Sequence, residues 1–401
     1  MPKFLILGAG PAGLTFANVL LRNGVNDFLV LEAEHEAGGL CRSVDVDGSA
    51  LDIGGGHILD VRRPEVVKFL FEFMPREEWN FFQRNTQIYI NGKFISHPFE
   101  ANIWQMDIDS QVEYLCSTAK AGCVTGSGKP EKFTDWLTWK LGEKIANDYM
   151  IPYNKKMFGA ELNNLGTYWL DKLPDVSFED ILRSCLEHQA HAKQPGHAEF
   201  YYPIEYGYGE LWRRMSEALD GKIFYGRRVC SMDFSSHVVR TVDGEEYHGS
   251  TIINTIPYNE FKELCGMPEA LKESVKHLKH TSVQVKYCPE SPETQAQWVY
   301  YPDLELPYHR IFLRNNVLLG SKGCWTETNT ERAMPERDHD FSYTNKYAYP
   351  LNTLRKPEIM NELLTFCKSH RVYGLGRWGE HQHYNSDFVV ELAMKLAENL
   401  I

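Results

Sequence analysis

The chain has 401 residues, a formal charge of −12 at pH 7, 43% hydrophobic and 24% charged residues. That length exceeds the size at which single cores stop growing, so more than one structural unit is expected, and the acidic balance argues against nucleic acid or anionic lipid as a partner. Nine cysteines without a C-x-x-C pair read as reduced thiols of a cytoplasmic protein with no metal site, and no apolar run is long enough to predict a membrane span.

Taken in order, Lys3 to Leu7 is a buried-strand pattern, followed by the turn Gly8-Ala9-Gly10-Pro11-Ala12-Gly13 and an apolar helix that ends at Gly24. Phe28 to Leu31 reads as a second strand, completing a β-α-β unit. From about Pro64 to Ser184 the pattern is mostly helical, with one strand-like passage whose Asn91-Gly92 pair signals a hairpin turn. Residues 187–200 carry His188, His191 and His197 without apolar periodicity and read as an exposed loop, not a metal tract. Short strands return after Phe200, with Asp243-Gly244 as a hairpin turn, and residues 280–320 alternate as an antiparallel sheet. The chain closes with a strand, a turn through Gly376 and Arg377, and a helix from about Asp387 to Leu400.

Three motifs carry chemistry. In Gly8-x-Gly10-x-x-Gly13 the first glycine permits the tight turn, the second lets backbone approach a pyrophosphate, and the third allows close helix–strand packing. The helix that follows offers N–H donors and its positive dipole end to that pyrophosphate. Glu32 ends the second strand at the spacing where an acidic side chain hydrogen-bonds ribose hydroxyls, next to Ala33. Gly38-Gly39-Leu40-Cys41-Arg42-Ser43 is a second glycine turn. Asp52-Ile53-Gly54-Gly55-Gly56-His57 is the third motif: glycine serves close backbone approach, and an imidazole titrates near neutrality.

These motifs together resemble the amine-oxidase-like flavoproteins, and within them the UDP-galactopyranose mutases. The stretches 91–103, 133–158, 201–212, 300–310, 348–354 and 376–387 are similar to segments of that family, in family order. The resemblance implies an α/β fold: a Rossmann-type FAD-binding domain (1–63, 200–265 and 340–401), a mostly helical insert (64–199) forming the substrate cleft and a possible interface, and an antiparallel-sheet substrate domain (266–339). It implies FAD, active when reduced, with NAD(P)H only as a possible reductant. It places Gly54, Gly55 and Gly56 under the isoalloxazine, where a Cβ would collide with the ring, and His57 beside its N5 and O4. It adds Gly39, Leu40, Arg42, Val229, Gly376, Arg377, Asn385, Ser386 and Asp387 to the cofactor residues Gly8, Gly10, Pro11, Ala12, Gly13, Glu32 and Ala33. It assigns Arg310, Tyr300 and Tyr349 to a substrate diphosphate, and Asn154, Trp136, His97, His383 and Tyr384 to the rest of the cleft.

The implied reaction is a pyranose–furanose isomerisation of a nucleoside-diphosphate sugar for polysaccharide biosynthesis, with reduced FAD N5 as nucleophile at the anomeric carbon, Arg310 as the main cation and His57 stabilising the flavin. Three positions depart from the family pattern. Ile151 stands where eukaryotic-type mutases have an arginine, unless Lys155, Lys156 or Arg314 supplies the charge, and His97 and His383 stand at tyrosine positions, with Tyr384 adjacent to the second. The flavin half therefore matches better than the substrate half. An amine-oxidase-type oxidoreductase shares every flavin motif and is the alternative, with a non-catalytic FAD-binding protein as a third reading.

Overall fold

The computed structural model describes residues 2–159, 161–170, 175–191, 197–335 and 341–401. The run Phe4–Leu7 is closed to solvent at every residue, as a central parallel strand covered on both faces must be. It lies in the middle of a five-stranded, all-parallel sheet ordered Ile223–Phe224, Phe28–Leu31, Phe4–Leu7, Thr251–Asn254, Val372–Gly374. The helix Pro11–Arg22 leaves the first strand and packs along the final helix, Ser386–Leu400. Because the strands run in register, Leu7 opposite Leu31 and Asn254, their carboxyl ends share one edge, where ligands of such sheets collect.

A seven-stranded sheet forms the second layer, ordered Ser342–Pro350, His280–Cys288, Cys324–Asn329, Arg310–Phe312, Trp298–Tyr300, Thr86–Ile90, Lys93–Ser96. Its neighbours are antiparallel except Trp298–Tyr300 with Thr86–Ile90, which run parallel. Three of its strands lie outside the expected 266–339 span. The strand Ser342–Pro350 bonds to His280–Cys288, and the hairpin 86–96, foreseen as an interlude among helices, adds to the far edge. The hairpin turn itself follows the sequence: Asn91 (φ 51°) and Gly92 (φ 75°) both take the left-handed conformation that a two-residue I′ turn requires.

A three-stranded sheet, Leu59–Asp60, Glu199–Pro203 and Trp79–Gln83, packs Phe200 edge-on against Trp298 of the seven-stranded sheet. The helices Ile108–Ala119, Phe133–Ile145, Ile151–Phe158 and Phe178–Glu187 make up most of the insert. Phe133–Ile145 bends at Gly142 (φ 78°), where a Cβ would stand 2.6 Å from the Ser117 carbonyl oxygen, and a wider turn at Ala146–Met150 carries the chain into Ile151–Phe158. The nine cysteines are free thiols.

Candidate functional site

The carboxyl edge of the parallel sheet opens onto a cavity of about 370 Å3 whose floor is glycine backbone. A Cβ on Gly13 would stand 2.0 Å from the Gly8 carbonyl oxygen, so helix and strand can approach only because position 13 is glycine. A Cβ on Gly39 (φ 54°) would come within 3.3 Å of Gly10 Cα, and the Gly38 N–H donates to the Ala9 carbonyl at 2.8 Å. The two glycine turns are thus stacked against each other. Gly10 caps the helix with no side-chain partner, leaving the N–H groups of its first turn beside the cavity wall formed by Pro11 and Ala12. Glu32 is buried, accepting the Ala9 N–H at 2.6 Å and the Glu34 N–H at 2.9 Å; burial pushes its carboxyl up and those donors oppose the shift. Ala33, Leu40 and Val229 complete this wall.

His57, Arg377 and Ser386 line both this cavity and a second one of about 190 Å3. His57 Nδ1 lies 2.9 Å from the Gly55 carbonyl. A carbonyl only accepts, so Nδ1 carries the proton and Nε2 remains a free acceptor. Arg377 donates to the Tyr384 carbonyl through Nε (3.1 Å) and Nη2 (2.8 Å), and to the Ala348 carbonyl through Nη1 (3.0 Å).

Two further guanidiniums line the second cavity. Arg310 Nη2 donates to Glu327 Oε2 at 2.7 Å and to the Tyr349 hydroxyl at 3.0 Å. Arg84 donates to the Tyr300 hydroxyl and to Thr86 Oγ1, both at 2.9 Å, and lies 5.1 Å over the Trp298 ring. No carboxylate among the described residues pairs with Arg84 within 4.0 Å. The other end is acidic and amidic. Asn385 Nδ2 donates to His197 Nε2 at 2.7 Å, His197 Nδ1 bonds to buried Asp60, and Asp387 pairs with Arg63.

The profile of the flavin containing amine oxidoreductases matches residues 11–286, well over half of the chain. The chain belongs to the flavin containing amine oxidoreductase family. Its fold is similar to a crystal structure of reduced UDP-galactopyranose mutase, with a TM-score of 0.87 and 21% identity over 100% of this chain and 93% of that one. A fatty acid isomerase from P. acnes (TM-score 0.65, 14% identity) and putrescine oxidase bound to putrescine (0.61, 13%) each align over 99% of this chain and 98% of their own. At these identities the likeness is one of fold. In sequence, 52 residues are 46% identical to a protein in the nifH2 3′ region of Methanothermococcus thermolithotrophicus, over 13% of this chain and 49% of that one. The matched stretch spans about half the length of that curated relative.

Membership of a flavin containing family implies a flavin, and the first cavity fits FAD: apposed glycine turns, a helix N-terminus free of side chains, and Glu32 at the strand end. Of the sequence-derived cofactor residues, Gly8, Gly10, Arg42 and those named above face this cavity; Gly13 acts through packing, and Gly376 (φ 76°) does likewise, a Cβ there standing 2.8 Å from Ala12 Cβ. Arg42 donates to the Gly39 carbonyl (3.0 Å) and the Tyr343 hydroxyl (2.7 Å). Asn385 and Asp387 face the second cavity, and Tyr384 the first.

Several expectations change. The missing Cβ atoms of the triple glycine point into protein: at Gly54 one would meet the Leu40 carbonyl oxygen at 1.8 Å, at Gly55 the Glu327 carboxyl carbon at 2.8 Å, and at Gly56 the Phe312 ring at 2.6 Å. Polypeptide packing alone demands glycine here. His57 does not titrate near neutrality, because burial and then Arg377 push its pKa down to about 3. Arg310 is not a free cation but the partner of buried Glu327. Lys156 and Arg314, considered as replacements for the arginine lost at Ile151, are fully buried and spend their donors on carbonyls: Tyr301 and Asp303 for the first, Val46, Ser49 and Lys322 for the second. Lys155 is exposed.

Of the expected substrate residues, Tyr349 and His383 line the second cavity, their rings 4.9 Å apart. Tyr300 stands behind Arg84, and His97 packs edge-on against Tyr300 at 5.8 Å; burial and then Arg84 push His97 down to about 3. Trp136 and Asn154 are buried and line neither cavity, Asn154 donating to the Met150 carbonyl at 2.7 Å. Arg84, Glu327, Asp60 and His197 went unforeseen. His197, read as part of an exposed loop, lines the second cavity; residues 192–196 of that loop lie outside the described residues. Among the described residues no cluster of three or more His, Cys, Asp or Glu is placed to hold a metal ion, and no helix is long and apolar enough to cross a membrane.

Proposed function

We propose that the chain is a flavin-dependent pyranose–furanose mutase, an isomerase of nucleoside-diphosphate sugars, with FAD in the first cavity and the sugar nucleotide in the second. The observation that carries this reading is charge. Arg84, Arg310 and Arg377 all line the second cavity, and among the described residues only Arg310 of these has a carboxylate partner. A protonated amine entering an oxidase-type site would meet net repulsion there, whereas a diphosphate meets forked donors that suit its oxygens. The likeness in fold to a UDP-galactopyranose mutase supports the same reading.

When bound and reduced, FAD supplies a nucleophilic N5 for the anomeric carbon. The chain's own residues do the remaining work. Arg84 and Arg310 stabilise the diphosphate as its bond to the sugar breaks. His57 keeps Nε2 unprotonated at the junction of the cavities, ready to accept a hydrogen bond. Met157, Val283 and Trp298 give the second cavity apolar walls that displace water. NAD(P)H would serve only to reduce the cofactor, and the cytoplasm is the compartment that keeps the thiols reduced.

The test is to load the protein with FAD, reduce it with dithionite, and follow nucleotide sugars by chromatography and NMR. An isomer of unchanged mass is expected, formed only by reduced protein, and Arg84→Ala should abolish most of that activity with FAD retained. Unchanged nucleotide sugars, together with dehydrogenation of an amine by the oxidised protein, would establish the oxidase instead.

A further inference from the structure

His309 is closed to solvent, and neither of its ring nitrogens has a hydrogen-bond partner among the described residues. A neutral imidazole carries one N–H, and burying that donor without an acceptor is costly. Its Nε2 lies 4.0 Å from Glu327 Oε2, just beyond hydrogen-bonding reach. Backbone fixes this proximity: the His309 N–H donates to the Glu327 carbonyl at 3.0 Å, and Arg310 sits directly opposite Glu327 in the strand pair.

Glu327 is itself fully buried, beneath the glycine turn. Its Oε1 accepts the Gly56 N–H at 3.3 Å, and its Oε2 takes Arg310 at 2.7 Å and the Tyr349 hydroxyl at 3.4 Å. Arg310 Nε is also buried without a hydrogen-bond partner among the described residues. The other groups facing His309 are Lys156, a second nearby cation, and the Tyr153 ring, edge-on at 6.0 Å. Burial, then Arg310 and Lys156, hold the imidazole well below its ordinary pKa, so it is neutral.

An arginine cannot serve a diphosphate fully while a carboxylate neutralises it, yet drawing Arg310 away strands a buried, unpaired Glu327, which is strongly unfavourable. We infer that His309 is a positioning residue that takes over Glu327 when an anion in the second cavity draws Arg310 and Tyr349 off it, releasing the guanidinium charge to the ligand. The shift needed is small, about 1 Å of carboxylate or ring movement to reach normal hydrogen-bond length. Glu327 then has two discrete partners, one for each state of the cavity. The ligand half of this inference rests on the proposal that the cavity binds a diphosphate; the contact between His309 and Glu327 does not.

The experiment uses FAD-loaded protein with 15N-labelled histidine. In Arg310→Met a protected, hydrogen-bonded imidazole N–H resonance should appear, identified by its loss in Arg310→Met/His309→Phe, and it should be absent in Arg310→Met/Glu327→Met. Titrating inorganic pyrophosphate into the unsubstituted protein should bring out the same resonance, so the readout does not depend on one variant folding. His309→Phe should weaken pyrophosphate binding by about tenfold, the scale of one lost hydrogen bond to a charged group. His309→Gln, which restores a donor, should recover most of it, and in a Glu327→Met background His309→Phe should cost nothing. A resonance in Arg310→Met without pyrophosphate binding would overturn the diphosphate reading and leave the contact standing. Absence of the resonance in both arms, or an equal His309→Phe penalty in both backgrounds, would overturn the inference itself.

Discussion

Gly54 separates two explanations of the triple glycine that the sequence alone leaves merged. If glycine were needed only to clear a flavin ring, Gly54→Ala would fold normally and lose cofactor affinity. The structure instead puts the added Cβ 1.8 Å from the Leu40 carbonyl oxygen, inside the protein. Backbone cannot yield as a flexible side chain can, so Gly54→Ala should destabilise the protein even without cofactor, by on the order of 1–3 kcal/mol or more. Urea unfolding of the flavin-free variant checks this; an unchanged midpoint would return the ring to the role of sole cause. The same residue scale explains what sequence could and could not reveal. The first two glycine turns and Glu32 are legible because the contacts among them are local in sequence, none reaching farther than the bond from Gly38 to Ala9. Arg84 gives no such signal, since its phenolic partner Tyr300 lies 216 positions away. Glu327 is hidden in a strand whose every residue is buried, where an acidic side chain breaks the expected apolar pattern for a reason visible only once Arg310 and the glycine turn are packed against it.

At the scale of elements, the helix Ile151–Phe158 does a different task from the one its position suggests. Ile151 supplies no charge, and Asn154 turns to its own backbone at Met150. Lys156 instead reaches out of the helix to the carbonyls of Tyr301 and Asp303 at 2.8 and 2.7 Å, tying down the loop that leads from Trp298–Tyr300 into His309 and Arg310. Lys156→Met keeps the length of the stem but strands two carbonyls. It should cost about 1–3 kcal/mol and weaken anion binding through a looser Arg310, while FAD affinity stays unchanged because the glycine turns are untouched. Paired thermal unfolding and FAD titration test this, and an equal loss of FAD would mean that the helix supports both cavities. Local pattern made the β-α-β unit, the 91–92 turn and the last helix readable, since each is fixed by residues within a few positions. It could not assign 86–96 and 342–350 to the seven-stranded sheet, because a strand's partners are chosen by packing across the chain and leave no mark on the strand's own alternation.

For the molecule as a whole, buried and half-buried titratable groups set an acid limit. Burial holds His57, His97 and His381 down to about 3 from an ordinary 6.5, with nearby cations adding to the shift. Burial also pushes Asp52, Glu100 and Glu380 up to about 7 from 3.8 or 4.5. The histidines alone would make the fold lose stability as pH falls below 6.5, because the unfolded chain takes up protons that the folded one refuses. The carboxyls act in the opposite sense, since the folded chain binds their protons at about 7 and the unfolded chain only near 4. Between about pH 4.5 and 6.5 the folded chain gains protons on Asp52, Glu100 and Glu380 while the unfolded chain gains them on the histidines, so the two slopes oppose and stability should be nearly flat. Below about pH 4.5 the carboxyls of the unfolded chain protonate too and that compensation ends, while the histidines still resist until about pH 3. Urea midpoints measured from pH 7 to pH 3 should therefore hold level and then fall steeply over the last unit or so. His97→Phe removes one resisting imidazole without touching either glycine turn, and should tilt the plateau toward greater stability at low pH. A midpoint that declines steadily from pH 6.5, or a His97→Phe profile parallel to the parent, would mean that these imidazoles are open to protons in the folded chain.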